Sequence, residues 1–283
     1  MLSWQILLAI SVVTYSVSVI LQKAILKNKK SDPVAYSIVF QIVTGLIIGI
    51  YALINGFKTP DLIPLIPNLI VMVLLYGIGN ILIFKALKVA DASSFTIMFS
   101  SRAIWMILGA VIFLKESFSG QQLLGTLLII LSVILVSWKS GGLRMGKGVV
   151  FSLLGALAFG LAFTNDAYIL NNFDVPSYLT FSFLLPPLLI WAVYPKSTAK
   201  MKPLFERGTF IKLLILGVIY AVSSISIFLA YQVGKNASQI APLNQVSTIL
   251  TVLLSMIFLK ETDNKVIKIL GAIISFVGVV LVK

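Results

Sequence analysis

Arg102 is the residue that most invites a chemical reading. It stands ten residues into the apolar run 92–114. An ionisable side chain that deep in an apolar segment costs roughly 2.5–3.5 kcal/mol to insert in a bilayer, so it is a functional candidate by default. Its guanidinium is a permanent cation, and its planar donor fork suits carboxylate or phosphate. The expectation is that Arg102 binds an anionic group of a small substrate. The alternative is a structural arginine tied to backbone carbonyls or a neighbouring helix. A neutral polar set accompanies it inside the apolar runs: Asn80, Ser100, Ser101, Ser223, Ser224, Ser226, Asn244, Gln245 and Thr248. Asn80, Asn244 and Gln245 carry the most weight, because an amide is costly to leave unpaired in hydrocarbon. Ser101 and Ser224 are substrate candidates too, although hydroxyl residues ordinarily join membrane helices. Tyr15, Trp105, Tyr220 and Tyr231 can stack on a flat substrate, with packing as the plainer reading. Trp105 lies at i+3 from Arg102 and can share its face.

Asp166 is the one carboxylate that falls inside an apolar run. A carboxyl group held in apolar surroundings can take up and release a proton, which would suit proton coupling. It also sits beside Asn165 near the end of its run, where a solvated helix end is the simpler explanation. Glu116 and Glu261 follow lysines at run ends and are expected to cap or pair locally. Other chemistries lack their residues. The chain has no histidine and no cysteine, which removes the usual general base, the commonest metal ligand and any thiolate nucleophile. No phosphate-cradling Gly-Lys-Ser/Thr loop occurs. The expectation is a protein that is not an enzyme, with no cofactor, no metal and no nucleic-acid partner.

These residues must be held by elements that composition makes plain. Of 283 residues, 59% are hydrophobic and 11% charged, against about half and a quarter in soluble domains. A bilayer-crossing helix takes roughly 20 such residues. The chain therefore predicts an all-α integral membrane protein of ten transmembrane helices, at 4–26, 33–54, 66–87, 92–114, 120–138, 148–169, 177–194, 210–232, 238–259 and 265–282. Alternate loops then share a face. Seventeen of the 22 lysines and arginines fall on one face and four on the other, with Arg102 inside a run. Positive residues concentrate on the cytoplasmic side, so both termini are expected outside the cytoplasmic membrane. Gly45 and Gly49, and Gly271 and Gly278, read as close helix-packing pairs.

The chain also repeats itself. Val111-Ile-Phe-Leu-Lys-Glu-Ser117 returns as Met256-Ile-Phe-Leu-Lys-Glu-Thr262, Phe84–Ser93 matches Phe228–Ser238 with one insertion, and Asp32-Pro33 parallels Asp174-Val175-Pro176. Asn80 then corresponds to Ser224, and Ser100–Ser101 to Asn244–Gln245. Two units of five spans, 1–140 and 146–283, would enter the membrane from opposite faces as inverted five-helix repeats. This build, with an apolar-Leu-Lys-Glu box ending the fourth span of each half, resembles the drug/metabolite transporter superfamily, most nearly its EamA-type branch. The resemblance implies a secondary transporter that moves a small metabolite, an amino acid or other small organic acid, by alternating access, with export the direction. It implies a cavity lined by spans one, three, four, six, eight and nine, and peripheral fifth and tenth spans that can serve homodimer contacts. A flippase for an anionic lipid-linked substrate is the alternative, since Arg102 suits a phosphate equally. Two features depart from the family: many members keep both termini inside, and Pro242 has no counterpart in the first half.

Overall fold

The computed structural model describes residues 3–114, 119–139, 142–143, 145–234, 244 and 246–282. Its α-helices are α1 (Trp4–Leu26), α2 (Pro33–Ile54), α3 (Ile66–Val89), α4 (Ala92–Phe99), α5 (Arg102–Leu114), α6 (Gly120–Ser137), α7 (Lys147–Ile169), α8 (Val175–Val193), α9 (Arg207–Gly234), α10 (Val246–Phe258) and α11 (Lys265–Val282). A two-residue antiparallel pairing, Trp138–Lys139 with Gly142–Leu143, lies between α6 and α7. Seven of these helices are long and apolar enough to cross a membrane by length and composition: α1, α2, α3 with its 3-10 lead-in, α6, α7, α8 and α9. The expected fourth span, 92–114, is instead two helices broken at Ser100–Ser101. The expected ninth span is described as a helix only from Val246 to Phe258, and Pro242 lies outside the described residues.

Local chemistry explains the boundaries. Asp32 caps α2 by accepting from the Val34 and Ala35 N–H groups, with Pro33 at the first turn. Asp174 does the same for α8 at the Ser177 N–H. Both place a side-chain oxygen on donors that a helix start leaves orphaned. Ser119 and Gln122 form a capping box on α6. At the α4–α5 break, the Ser100 hydroxyl donates to Ile97 O at 2.6 Å and the Ser101 hydroxyl to Met98 O at 2.7 Å. Ser100 also bonds the Ser275 hydroxyl on α11. The Ser100 hydroxyl thus takes the Ile97 carbonyl, while Met98 O accepts both the Ser101 hydroxyl and, at 3.1 Å, the Ser101 N–H.

Close approaches between helices fall at glycines. A Cβ on Gly45 would meet Leu184 at 2.6 Å and one on Gly49 would meet Thr180 at 3.3 Å, so α2 lies tightly on α8. Gly271 and Gly278 do the same for α11 against Val136 and Gly125 of α6. Both pairs act as the sequence predicts. The largest buried cluster joins α1, α2, α3, α4, α7 and α9 around Tyr36, Phe40, Phe84 and Phe95, with Tyr36 and Phe40 ring centroids 4.9 and 5.5 Å from that of Phe84.

Helix ends beside this cluster are tied by charge. Glu261 Oε1 accepts from Ala92 N at 2.8 Å, and its Oε2 from Ser93 N at 3.0 Å and Ser93 Oγ at 2.8 Å. It therefore caps α4 from 169 positions away, and the expected local role is corrected. The reason is the turn before it: Lys260 takes a left-handed φ of 57°, which ends α10 and aims Glu261 at another helix. Asp91, the residue before α4, makes no cap bond; its carboxylate meets Lys268 Nζ at 2.7 Å, and Lys268 is only 4% exposed. Lys23 Nζ donates to Leu87 O at 2.8 Å and Ala90 O at 2.6 Å, closing the end of α3. Asp32 pairs with Lys200 at 3.0 Å. Glu116, in the first copy of the box, lies outside the described residues.

Candidate functional site

The bundle interior holds a small cavity of about 70 Å³ lined by polar and aromatic side chains. Five helices line it: α2 with Gln41, α3 with Tyr76 and Asn80, α7 with Phe159, Phe163 and Asp166, α8 with Tyr178 and Ser182, and α9 with Tyr220 and Ser224. The family resemblance implies spans one, four and nine in place of α2 and α8. None of the described lining residues comes from α1, α4, α5 or α10. The glycine contacts explain part of the difference, because they bring α2 and α8 close enough to share a wall.

Asp166 is the charged member of this lining. It is 2% exposed and accepts from Tyr76 Oη at 2.5 Å and from the Tyr178 hydroxyl. The solvated-helix-end reading is therefore wrong. Tyr76 stands mid-way along α3 and Tyr178 in the first turn of α8, so the carboxylate is satisfied by two helices that its own sequence neighbourhood does not reveal. A buried charge needs such partners, since desolvation otherwise outweighs any gain. Its neighbour Asn165 is also taken up: Asn68 Nδ2 donates to Asn165 Oδ1 at 2.7 Å and Asn165 Nδ2 to Asn68 O at 2.9 Å.

Asn80 lines the cavity as its sequence position suggests, and it comes with a partner that sequence reasoning missed. Its Nδ2 donates to Gln41 Oε1 at 3.1 Å and to Tyr76 O at 2.8 Å. Gln41 in turn donates to Ser37 O and Oγ at 3.0 and 2.9 Å. A glutamine inside the apolar run of α2 was the available signal. Ser224 and Tyr220 line the cavity, with Tyr220 set against Phe40, Phe183 and Tyr15 at centroid distances of 5.1, 5.8 and 6.3 Å. Tyr15 is thus one ring removed from the cavity. On α8, Pro186 and Pro187 lack the N–H groups that would take the carbonyls of Ser182 and Phe183.

Arg102 stands outside this lining. It opens α5, and its guanidinium carbon lies 4.6 Å from the Phe99 ring centroid and 5.8 Å from that of Phe163. Phe163 is also a cavity wall, so the arginine packs on a ring that the cavity shares. Arg102 makes no hydrogen bond or ion pair among the described residues, which leaves cation–π contact as its stabilisation. A Cβ on Gly160 would meet Arg102 O and Trp105 Cβ at 2.6 Å. This close approach seats α5 on α7 and accounts for Trp105, which packs at that crossing rather than in the cavity. Ser101 is spent on the helix break. Asn244 is half-buried on the stretch before α10 and is not among the described lining residues, while Gln245 lies outside the described residues.

Apolar helices of membrane-crossing length, packed through small residues around an interior cavity with polar and aromatic lining, define a multi-pass integral membrane protein. The family comparison narrows this further. The model of the EamA-like transporter family matches the chain twice, over residues 2–138 and 146–283. The chain belongs to the EamA-like transporter family, and membership places it among membrane transporters of small solutes. The fold is shared with a solved crystal structure at a TM-score of 0.59 and 11% identity, over 98% of this chain and 95% of the other. No curated protein matches the chain.

Proposed function

We propose that this protein is a secondary carrier that moves a small metabolite, an amino acid or other small organic acid, across the cytoplasmic membrane by alternating access, in the direction of export. The observation that carries this reading is the polar, aromatic-walled cavity buried between helices of both family-matched segments. The double match supports two repeats, 1–140 and 146–283, inserted in opposite senses. Reading α4 and α5 as one interrupted span gives ten spans, and the lysine-rich loops favour both termini outside. Arg102, packed on the Phe163 ring that the cavity shares, is the anchor for the substrate's acid group.

Uptake of radiolabelled amino acids and organic acids into proteoliposomes tests the reading, with a lipid-scrambling assay alongside. Saturable uptake of at least one such solute is expected. Lipid scrambling without any solute uptake would end it. Arg102→Ala should lower transport at least about tenfold, and Arg102→Lys, which keeps the charge and loses the fork, should retain part of it. Full activity of Arg102→Ala at normal expression would remove Arg102 from the site.

A further inference from the structure

The hydrogen-bond inventory of the cavity is one-sided. Tyr76 and Tyr178 both spend their hydroxyl protons on Asp166, which leaves their oxygens with lone pairs alone. Asn80 spends both amide protons, on Gln41 Oε1 and Tyr76 O, and its own Oδ1 accepts nothing among the described residues. Gln41 donates only to Ser37. Ser182 gives its proton to Leu179 O at 3.0 Å. The donors left over are the hydroxyls of Tyr220 and Ser224, which make no hydrogen bond among the described residues. The cavity therefore offers a carboxylate and a set of acceptor oxygens, with Phe159, Phe163, Phe183 and Phe228 also in its lining.

We propose that this cavity binds a primary ammonium group with Asp166 as its counter-charge, so that the transported solute is an amine-bearing metabolite rather than a simple carboxylic acid. The proposal rests on the carrier reading above and narrows it. An ammonium brings three donors and no acceptor, the complement of what Asp166, the tyrosine oxygens and Asn80 Oδ1 present. Aromatic faces attract cations through the ring quadrupole, most strongly where water is excluded. A bare carboxylic acid would meet a like charge in Asp166 and only two free hydroxyl donors, a repulsive arrangement that discriminates against it. The cation that would draw an acid group, Arg102, is not among the described lining residues and packs on the Phe163 ring. A zwitterion satisfies both by placing its amine at Asp166 and its carboxylate on the Arg102 side.

The test uses the detergent-purified full chain in thermal-shift titrations with matched probes. One set is leucine, 3-methylbutylamine and 4-methylpentanoate; the other is phenylalanine, 2-phenylethylamine and 3-phenylpropanoate. The amine-bearing members of at least one set should raise the melting temperature by mass action, and the acids should not. Stabilisation by the acids without the amines overturns the proposal, as does the absence of a shift with any amine. Asp166→Asn keeps the shape and loses the charge, and should weaken amine binding at least about tenfold. Unchanged amine affinity in that variant also overturns it. If Asp166→Asn does not fold, the amine-against-acid comparison on the wild-type chain decides alone. Amine binding without solute uptake in vesicles would sink the carrier reading and support the ammonium site; uptake confined to acids would do the reverse.

Discussion

Two sets of carboxylates sit in this chain under different physics. Asp166 is sealed inside the bundle at 2% exposure and held by two tyrosine hydroxyls. Glu261, Asp91 and Asp32 sit at helix ends, where backbone N–H groups and lysines meet them. The helix-end set faces groups that need an anion in any case, because the first turn of a helix has orphan donors and a positive dipole end. Those contacts hold α10 against α4, α11 against α4, and α2 against the segment carrying Lys200. Asp166 meets no lysine or arginine in an ion pair among the described residues, and neutral hydroxyls leave part of its charge uncompensated. The comparison teaches that a carboxylate closing a helix end is structural, whereas one kept inside a cavity with lone pairs to spare is available to a ligand.

Removing the interior partners should have the largest effect. Tyr76→Phe and Tyr178→Phe should each cost about 1.5–3 kcal/mol, and the double variant about 3–5 kcal/mol as the carboxylate loses both donors. Thermal unfolding in detergent measures this, and additive losses below about 1 kcal/mol would mean that the tyrosines do not hold Asp166. Glu261→Ala should cost about 2 kcal/mol, the loss of charged hydrogen bonds to an otherwise uncapped helix, with Glu261→Gln recovering part of it. A melting temperature unchanged in Glu261→Ala would remove the long-range cap. Asp32→Ala should have the smallest effect, about 1 kcal/mol for the α2 cap, because its partner Lys200 is 61% exposed and such pairs contribute little.

Asp32 also carries a pH signature. Partial burial pushes its carboxyl up, but the Ala35 and Val34 N–H groups and the Lys200 ammonium outweigh this and hold it below its ordinary value of 3.8. A lowered folded-state value stabilises the fold above the ordinary value, and that contribution is lost as pH falls through the lowered one. The melting-temperature gap between the native chain and Asp32→Ala should therefore be full at neutral pH and narrow below pH 3.8. A gap that widens on acidification would contradict the assignment.

Much of the bundle was legible from the order of residues. The long apolar runs and the small-residue pairs on α2 and α11 depend on neighbours within a few positions, which sequence shows directly. The interruption at Ser100–Ser101 was not legible, because serine is tolerated in apolar helices and only the bond to Ser275 on α11 shows what holds the break. Glu261 was misjudged for a similar reason: its ligands are 168 and 169 positions away. At the site, Asn80 and Ser224 were found by their polarity in apolar runs. Gln41 carried the same signal and was passed over. Arg102 drew attention by its charge, yet it packs on the Phe99 and Phe163 rings and is not among the described lining residues.

Composition and periodicity by themselves determined that this chain is helical and spends its length in a bilayer, because burying backbone in hydrocarbon leaves few other solutions. The internal duplication likewise lies in the letters alone. Which carboxylate is interior, and which is a helix cap, only the tertiary structure decided. Both are acids near the end of an apolar run, and nothing local separates them. The difference arises when α3 and α8 deliver Tyr76 and Tyr178 to Asp166, while the left-handed Lys260 turns Glu261 onto the start of α4.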